Sequence, residues 1–161
     1  MITIVDTNVP VTANGYSGQA SSACVYACIL RLETLTESGK IVLDTQWQVL
    51  HEYQANLDAS GQSGPGDRFL HWVLRNRGNP ECCKQYSIDE IEGERGFRQF
   101  PDDPALSTFD PADRKFAALA VVSGAPVWNA VDPGWWEYRE ALQRNGIQVE
   151  FLCPDFIAAE N

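Results

Sequence analysis

The sequence predicts an α/β fold, a three-layer sandwich in which a mainly parallel central sheet lies between two layers of helices. Short apolar runs alternate with helical patterns along the chain, and such alternation is typical of parallel sheets with helices on both faces. The chain has 161 residues, of which 44% are hydrophobic. That length suits one domain spanning residues 1–161, and that composition can supply a full core.

In the amino-terminal third we expect a strand, a loop, a helix, a second strand and a second helix. Proline and glycine residues mark the loop. Ser21 or Ser22 can cap the first helix, which Gly39 stops, and Asp44 or Thr45 can cap the second. The expected bounds are about 2–5, 9–19, 21–35, 40–43 and 44–57.

The middle of the chain, residues 58–106, is interpreted as a variable or inserted region of the same domain. Its glycine- and serine-rich start, residues 58–67, predicts a mobile surface loop. Residues 69–77 have a helical pattern. Tyr86 and Ile88 then alternate with polar neighbours, which indicates a short strand or hairpin.

The last third predicts two helices, each followed by a strand. Asp110 can cap the first helix with Pro111 in its first turn, and Gly124 ends it. Pro133 starts the second helix and Gly146 ends it. The expected bounds of these helices and strands are about 111–122, 126–131, 133–146 and 147–152.

The charge and hydropathy of the chain restrict its environment. The net charge is −10 and the pI is near 4.5, which disfavours nucleic-acid binding unless cations neutralise some of the acids. No stretch has the apolar length of a membrane span, and the amino terminus lacks a signal-peptide pattern. We therefore expect a cytoplasmic protein that does not enter a membrane.

The cysteines are expected to be core or incidental thiols. Their number, five, is odd, and a disulfide framework is not expected without a signal peptide. Their spacing also lacks the pairs that zinc sites use. They are Cys24, Cys28, Cys82, Cys83 and Cys153.

Four acidic residues in separate segments are the candidate catalytic and metal-binding residues. Asp6 ends the first strand, and Asp132 follows the strand at 126–131. Asp113 opens a helix, and Glu52 lies at the margin of the apolar face of another. Residues at the carboxyl ends of parallel strands meet in one crevice, and carboxylates gathered there favour Mg²⁺ or Mn²⁺. The pattern predicts a hard-metal site and phosphodiester chemistry.

In order and spacing, these segments resemble the PIN-domain nuclease family over most of the chain outside residues 58–106. Each motif is weakly specific alone, but four in order on an alternating α/β pattern are more specific. The matching segments are Ile4–Asn8, Val49–Tyr53, Asp113–Ala120 and Asn129–Asp132.

The resemblance implies a PIN-like fold and a Mg²⁺- or Mn²⁺-dependent endoribonuclease that hydrolyses an RNA substrate. It implies that Asp6, Glu52, Asp113 and Asp132 form the metal site, with Asn8 supporting the first of them. Many small PIN proteins are toxins of toxin–antitoxin pairs, so an antitoxin or other regulatory protein and a homodimer are the implied protein partners. The family often has a further aspartate two residues after the last acid, and here that residue is Gly134.

Individual roles follow from the residue types. Asp6, Asp113 and Asp132 would hold metal directly or through water, and Glu52 could orient or deprotonate the attacking water or bind a second ion. Lys115 or Arg114 could reach phosphate, and the alternative is that both are solvated surface residues just inside the helix.

Two other interpretations stay open at this point. A phosphoryl-transfer domain of dehalogenase or receiver type also has an aspartate after its first strand, although Asn8 occupies the position of the second dehalogenase aspartate. The second is a catalytically inactive PIN-like scaffold that binds a protein or RNA, which the acidity and Gly134 favour.

Overall fold

A computed structural model describes residues 1–18, 20–60 and 64–155 and confirms the three-layer α/β fold. Its sheet has five strands, all parallel, in the order β3-β2-β1-β4-β5. The strands are β1 Ile2–Val5, β2 Lys40–Asp44, β3 Cys83–Tyr86, β4 Val127–Asn129 and β5 Val149–Phe151.

Helices flank this sheet and supply the remaining layers. Two short 3₁₀ turns, Pro104–Leu106 and Pro111–Asp113, precede the helix Arg114–Ser123, and the second of them carries Asp113. The α-helices of the described residues are α1 Asn8–Ala13, α2 Ser22–Ser38, α3 Gln48–Asn56, α4 Pro65–Asn76, α5 Arg114–Ser123, α6 Pro133–Glu137 and α7 Arg139–Arg144.

The central strands are buried because their sequences are apolar on both faces, as parallel strands covered by helices require. Ile4, Val5, Ile41 and Val127 are all inaccessible to solvent. None of the helices in the described ranges combines the length and the apolar character needed to cross a bilayer.

The strand order creates a crevice between β1 and β4. From β1 the chain builds β2 and β3 on one side, and it then returns to build β4 and β5 on the other. Helical connections leave this point in opposite directions, which opens a ligand crevice at the carboxyl ends of the two strands. Asp6 and Asp132 follow these strands.

Local capping explains several helix starts. The hydroxyl of Ser21 accepts the backbone N–H of Cys24 at 3.1 Å, as expected for the N-cap of α2. The carboxylate of Asp44 accepts the N–H groups of Gln48 and Val49 at 2.9 and 3.0 Å. Asp44 therefore caps α3 from the end of β2.

Several predicted bounds are wrong. The expected loop at 9–19 contains α1, whose Pro10 is tolerated because it lies in the first turn, where backbone N–H groups have no helical partner; residue 19 lies outside the described residues. Of the expected loop 58–67, residues 61–63 also lie outside them, and α4 begins already at Pro65. The helix expected over 133–146 is two helices that meet at Tyr138.

The middle region contributes a strand to the sheet. β3 pairs in parallel with β2 at the sheet edge, so residues 58–106 extend the sheet as well as carrying loops. An antiparallel bridge between Glu90 and Phe97 matches the expected hairpin character of this region.

The expectation that the cysteines would stay unpaired is wrong for Cys24 and Cys153, which form a disulfide. Their sequence separation is 129 residues. The two meet because the chain leaving β5 passes the start of α2, a proximity that cysteine spacing cannot reveal. Cys28, Cys82 and Cys83 are free thiols.

Candidate metal centre

Three carboxylates from distant parts of the chain converge at the crevice between β1 and β4. Asp6, Asp113 and Asp132 each offer a carboxylate oxygen, and the three oxygens lie within 4.8 Å of one another. Asp6 is buried, and the other two are partly buried. Carboxylates at this separation repel one another unless protons or a cation lie between them.

Each of the three is positioned by an element that begins or ends beside it. The backbone N–H of Asp6 donates to Trp128 O at 3.1 Å, which continues the pairing of β1 with β4. Asp132 caps α6, with Oδ1 accepting from Gly134 N at 2.9 Å. Asp113 precedes α5, but Asp110 accepts the N–H of Ala112 at 3.0 Å and so caps this turn. The Asp113 carboxylate therefore remains available to the cluster.

The Asp6 carboxylate is held by donors on both oxygens. Asn8 donates to Oδ1 from its backbone N–H at 3.0 Å and from its side-chain amide at 2.8 Å. The indole N–H of Trp135 donates to Oδ2 at 2.8 Å. These bonds fix the orientation of the carboxylate before any ion binds, which lowers the cost of forming a coordination site.

A second amide connects the ends of β1 and β4. The side-chain amide of Asn8 also donates to Asn129 Oδ1 at 2.7 Å, and its Oδ1 accepts from Ala130 N at 2.7 Å. Asn129 in turn donates to the backbone carbonyl of Asp132 at 3.1 Å. Sequence reasoning placed Asn8 in a supporting role but missed Asn129. The available signal was a polar residue at the end of an otherwise apolar buried strand.

Burial, and to a smaller extent mutual repulsion, make the cluster retain protons in the metal-free protein. Burial, with smaller contributions from the charges of Asp132 and Glu52, raises the pKa of Asp6 to about 7. Burial and then the charges of Asp6 and Asp132 raise the pKa of Asp113 to about 9. A cation that binds these carboxylates would displace their protons and offset the repulsion between them.

Glu52 lies beside the cluster but is not among its mutually close acids in the described part of the chain. Its carboxylate forms an ion pair with Lys115 Nζ at 2.7 Å and accepts a hydrogen bond from the Thr7 hydroxyl. Its charge contributes to the raised pKa of Asp6, so it remains within electrostatic reach. The structure thus joins three of the four predicted acids and pairs the fourth with a lysine.

The expectation that Arg114 contacts phosphate is corrected by the structure. Arg114 is 4% exposed, and its guanidinium donates to the backbone carbonyls of Glu94, Ser107 and Phe109. It also lies over the ring of Phe100, 4.7 Å from the ring centroid. Arg114 therefore stabilises the segment before α5 through hydrogen bonds to its backbone. Lys115 is the neighbouring cation that pairs with Glu52.

The donors present fit a hard divalent cation. All three converging groups supply carboxylate oxygen, the ligand type that Mg²⁺ and Mn²⁺ prefer over thiolate or imidazole. The pKa values of Asp6 and Asp113 are raised first by burial and then by the charges of neighbouring carboxylates, and such a cation would offset both penalties on the ionised form. Asp6, Asp113 and Asp132 are the residues that can hold it.

Trp135 offers a test of how the first acid is oriented. Trp135→Phe keeps an aromatic ring against Phe109 but removes the indole N–H that donates a hydrogen bond to Asp6 Oδ2. We expect Mn²⁺ affinity to fall about tenfold, as when an outer partner of a ligand is lost, measured by calorimetric titration. Trp136→Phe is the matched control, since Trp136 packs on Phe151 and Arg139. Equal affinities in the two variants would contradict the orienting role.

Comparisons with known proteins give no match: no family model, curated protein or solved structure is significantly similar to the chain. The geometry and chemistry of the site are therefore the basis for inferring its function.

Proposed function

We propose that the protein is a metal-dependent endoribonuclease of the PIN type. The observation that carries the proposal is the convergence of Asp6, Asp113 and Asp132 within 4.8 Å at the crevice between β1 and β4. These acids come from the first, third and fourth of the segments that resemble the PIN pattern. The second acid, Glu52, lies beside them with Lys115.

The chemistry of the site supports phosphodiester hydrolysis. When bound, Mg²⁺ or Mn²⁺ would acidify a water and offset charge on the transferring phosphate. The Asp6 carboxylate, oriented by Asn8 and Trp135, would hold the ion together with Asp113 and Asp132. Glu52 would accept a proton from the attacking water, with its ion pair to Lys115 setting its position.

The same charges define how an RNA substrate must approach. Three acids and a net charge of −10 repel a phosphate backbone, so cation loading must precede substrate binding. Lys115, 12% exposed at its side chain, is the cation placed to contact the phosphate once substrate enters. RNA is favoured over DNA as the substrate by the resemblance to PIN nucleases.

The biological setting is part of the proposal. A PIN-type ribonuclease of this size would act in the cytoplasm, as the toxin of a toxin–antitoxin pair that a regulatory protein holds inactive, and as a homodimer. Sedimentation of the purified chain and co-expression with the product of an adjoining reading frame test these two partners directly.

The first test is metal-linked stability. We expect millimolar Mn²⁺ or Mg²⁺ to raise the melting temperature of the wild type by several degrees, because an ion at ten times its Kd adds about 1.4 kcal/mol and about 1 kcal/mol moves Tm by roughly 2–4 °C for this size. Asp6→Asn should lose most of that increase. Asp58→Asn, a surface change of the same charge outside the cluster, should keep it.

The second test is cleavage of single-stranded RNA with Mn²⁺, with and without chelator. We expect products with 5′-phosphate ends in the wild type and none in Asp6→Asn. Cleavage that persists both in the presence of chelator and in Asp6→Asn would contradict the proposal. A metal-induced rise in Tm without cleavage of any RNA would instead favour the inactive scaffold, which the absence of an acid at Gly134 favours on chemical grounds.

A further inference from the structure

Three cysteines form a second cluster, which the proposed nuclease site does not use. Cys24, in the first turn of α2, is bonded to Cys153, just after β5. Cys28 lies one helical turn further along α2 as a free, fully buried thiol. The three sulfur atoms lie within 4.8 Å of one another, so Cys28 is close to both atoms of the disulfide.

A cavity gives small molecules access to this disulfide. Cys24 and Cys153 both line it, and its volume is about 170 Å³. Three of its other lining residues, Ser21, Ala23 and Pro154, are exposed, so the cavity opens to solvent. Cys28 is not among the lining residues and lies behind the disulfide. The arrangement is a disulfide of two largely buried cysteines at the wall of an open cavity, with a third buried thiol behind it.

We propose that this cluster is a reversible thiol-modification site, in which Cys153 takes a low-molecular-weight thiol from the cavity and Cys28 resolves the adduct by forming a Cys28–Cys153 disulfide. The ligand class is a small monothiol of the glutathione kind. The two disulfides would attach the chain after β5 to α2 at points four residues, about 6 Å along the helix axis, apart.

The exchange balances in two steps. The thiolate of the small thiol attacks Cys153 Sγ; a bond forms between them, the Cys24–Cys153 bond breaks, and Cys24 departs with the electron pair. Cys28 then transfers its proton to the Cys24 thiolate and attacks Cys153 Sγ, which releases the small thiol as its thiolate. The net change is an isomerisation of the disulfide, with the small thiol regenerated and no oxidant or reductant consumed.

The position of Cys24 in the first turn of α2 suits it to depart as a thiolate. A thiolate released in the first turn of a 17-residue helix is stabilised by the positive end of the helix dipole. A departing group that is stabilised as an anion leaves faster.

The burial of Cys28 predicts slow resolution. Desolvation raises the pKa of its thiol to about 12, so only about one molecule in ten thousand carries the thiolate at pH 8. The resolving step should therefore accelerate about tenfold for each pH unit. Cys82, a partly exposed free thiol, serves as an internal reference for modification at the surface.

The test uses the full chain, oxidised glutathione and peptide mapping under non-reducing conditions. In Cys24→Ser we expect a glutathione adduct at Cys153 that disappears as a Cys28–Cys153 disulfide forms. In the double variant Cys24→Ser/Cys28→Ser we expect the adduct to persist at least ten times longer. Thermal melts of both variants establish that they are folded before the exchange is compared.

Two results would overturn the inference. One is equal lifetimes of the Cys153 adduct in the single and double variants, which would show that Cys28 does not resolve it. The other is modification of Cys82 without any modification of Cys153, which would show that the cavity does not admit the thiol. Both outcomes are independent of metal binding and RNA cleavage.

Discussion

Asp113→Asn is expected to stabilise the metal-free protein while abolishing its response to metal and its cleavage of RNA. The pKa of Asp113 is raised to about 9 by burial and by the charges of Asp6 and Asp132, whereas an unfolded chain ionises this carboxyl near pH 4. Holding the proton at pH 8 therefore costs folding free energy, about 3 kcal/mol after allowance for solvent screening. An asparagine carries no such cost, so Tm should rise by about 6–12 °C.

The control is Asp110→Asn. It removes the same charge from the same turn, and asparagine can keep the cap on Ala112 N. We expect its Tm to change by little and its response to Mn²⁺ to remain. Two results would contradict this account of Asp113 as a metal ligand whose burial destabilises the metal-free protein. One is that Asp113→Asn destabilises the metal-free protein, and the other is that the variant keeps its rise in Tm with Mn²⁺.

The same shifts set the direction of the pH dependence. A carboxyl whose folded pKa lies above its unfolded value contributes stability below the unfolded pKa, and that contribution is lost as pH rises through the folded pKa. The pKa of Asp6, about 7, and the pKa of Asp113, about 9, are both raised, so the two groups change stability with pH in the same direction. The metal-free protein should therefore lose stability between about pH 4 and pH 9, with a smaller slope in Asp113→Asn. Metal affinity should rise over the same interval.

Arg114→Ala is expected to cost about 3–5 kcal/mol of stability, a fall in Tm of about 6–20 °C. The substitution removes the buried guanidinium from the carbonyls of Glu94, Ser107 and Phe109 and from the ring of Phe100. Those carbonyls then lack a donor in a water-poor environment. Differential scanning calorimetry measures the change directly.

Lys115→Ala provides the contrast with its neighbour. Lys115 pairs with a partly exposed Glu52, and such a pair contributes about 1 kcal/mol or less to stability. Its loss should instead weaken RNA binding in the presence of Mn²⁺. If Arg114→Ala folded as stably as the wild type but bound RNA poorly, the original expectation of a phosphate contact from Arg114 would be restored.

This pair of residues shows where sequence reasoning stops. Successive helix residues point about 100° apart, so Arg114 and Lys115 cannot face the same neighbours. The sequence does not show that Arg114 faces the interior, because that depends on how α5 is rotated against the sheet. Here the segment containing Phe100 and Phe109 covers Arg114. The bond from Trp135 to Asp6 spans 129 residues and was equally beyond local patterns.

What the sequence alone determined was local: alternating apolar runs produced the parallel sheet, and residues such as Ser21 and Asp44 capped the helices that follow them. It also indicated which carboxylates follow strands, because the ends of buried strands are visible in the hydrophobic pattern. The tertiary structure alone decided that Glu52 pairs with Lys115 and that Cys24 bonds Cys153. The physical reason is that such contacts depend on where separate elements come to lie, and hydrophobic periodicity carries no information about partners distant in the chain.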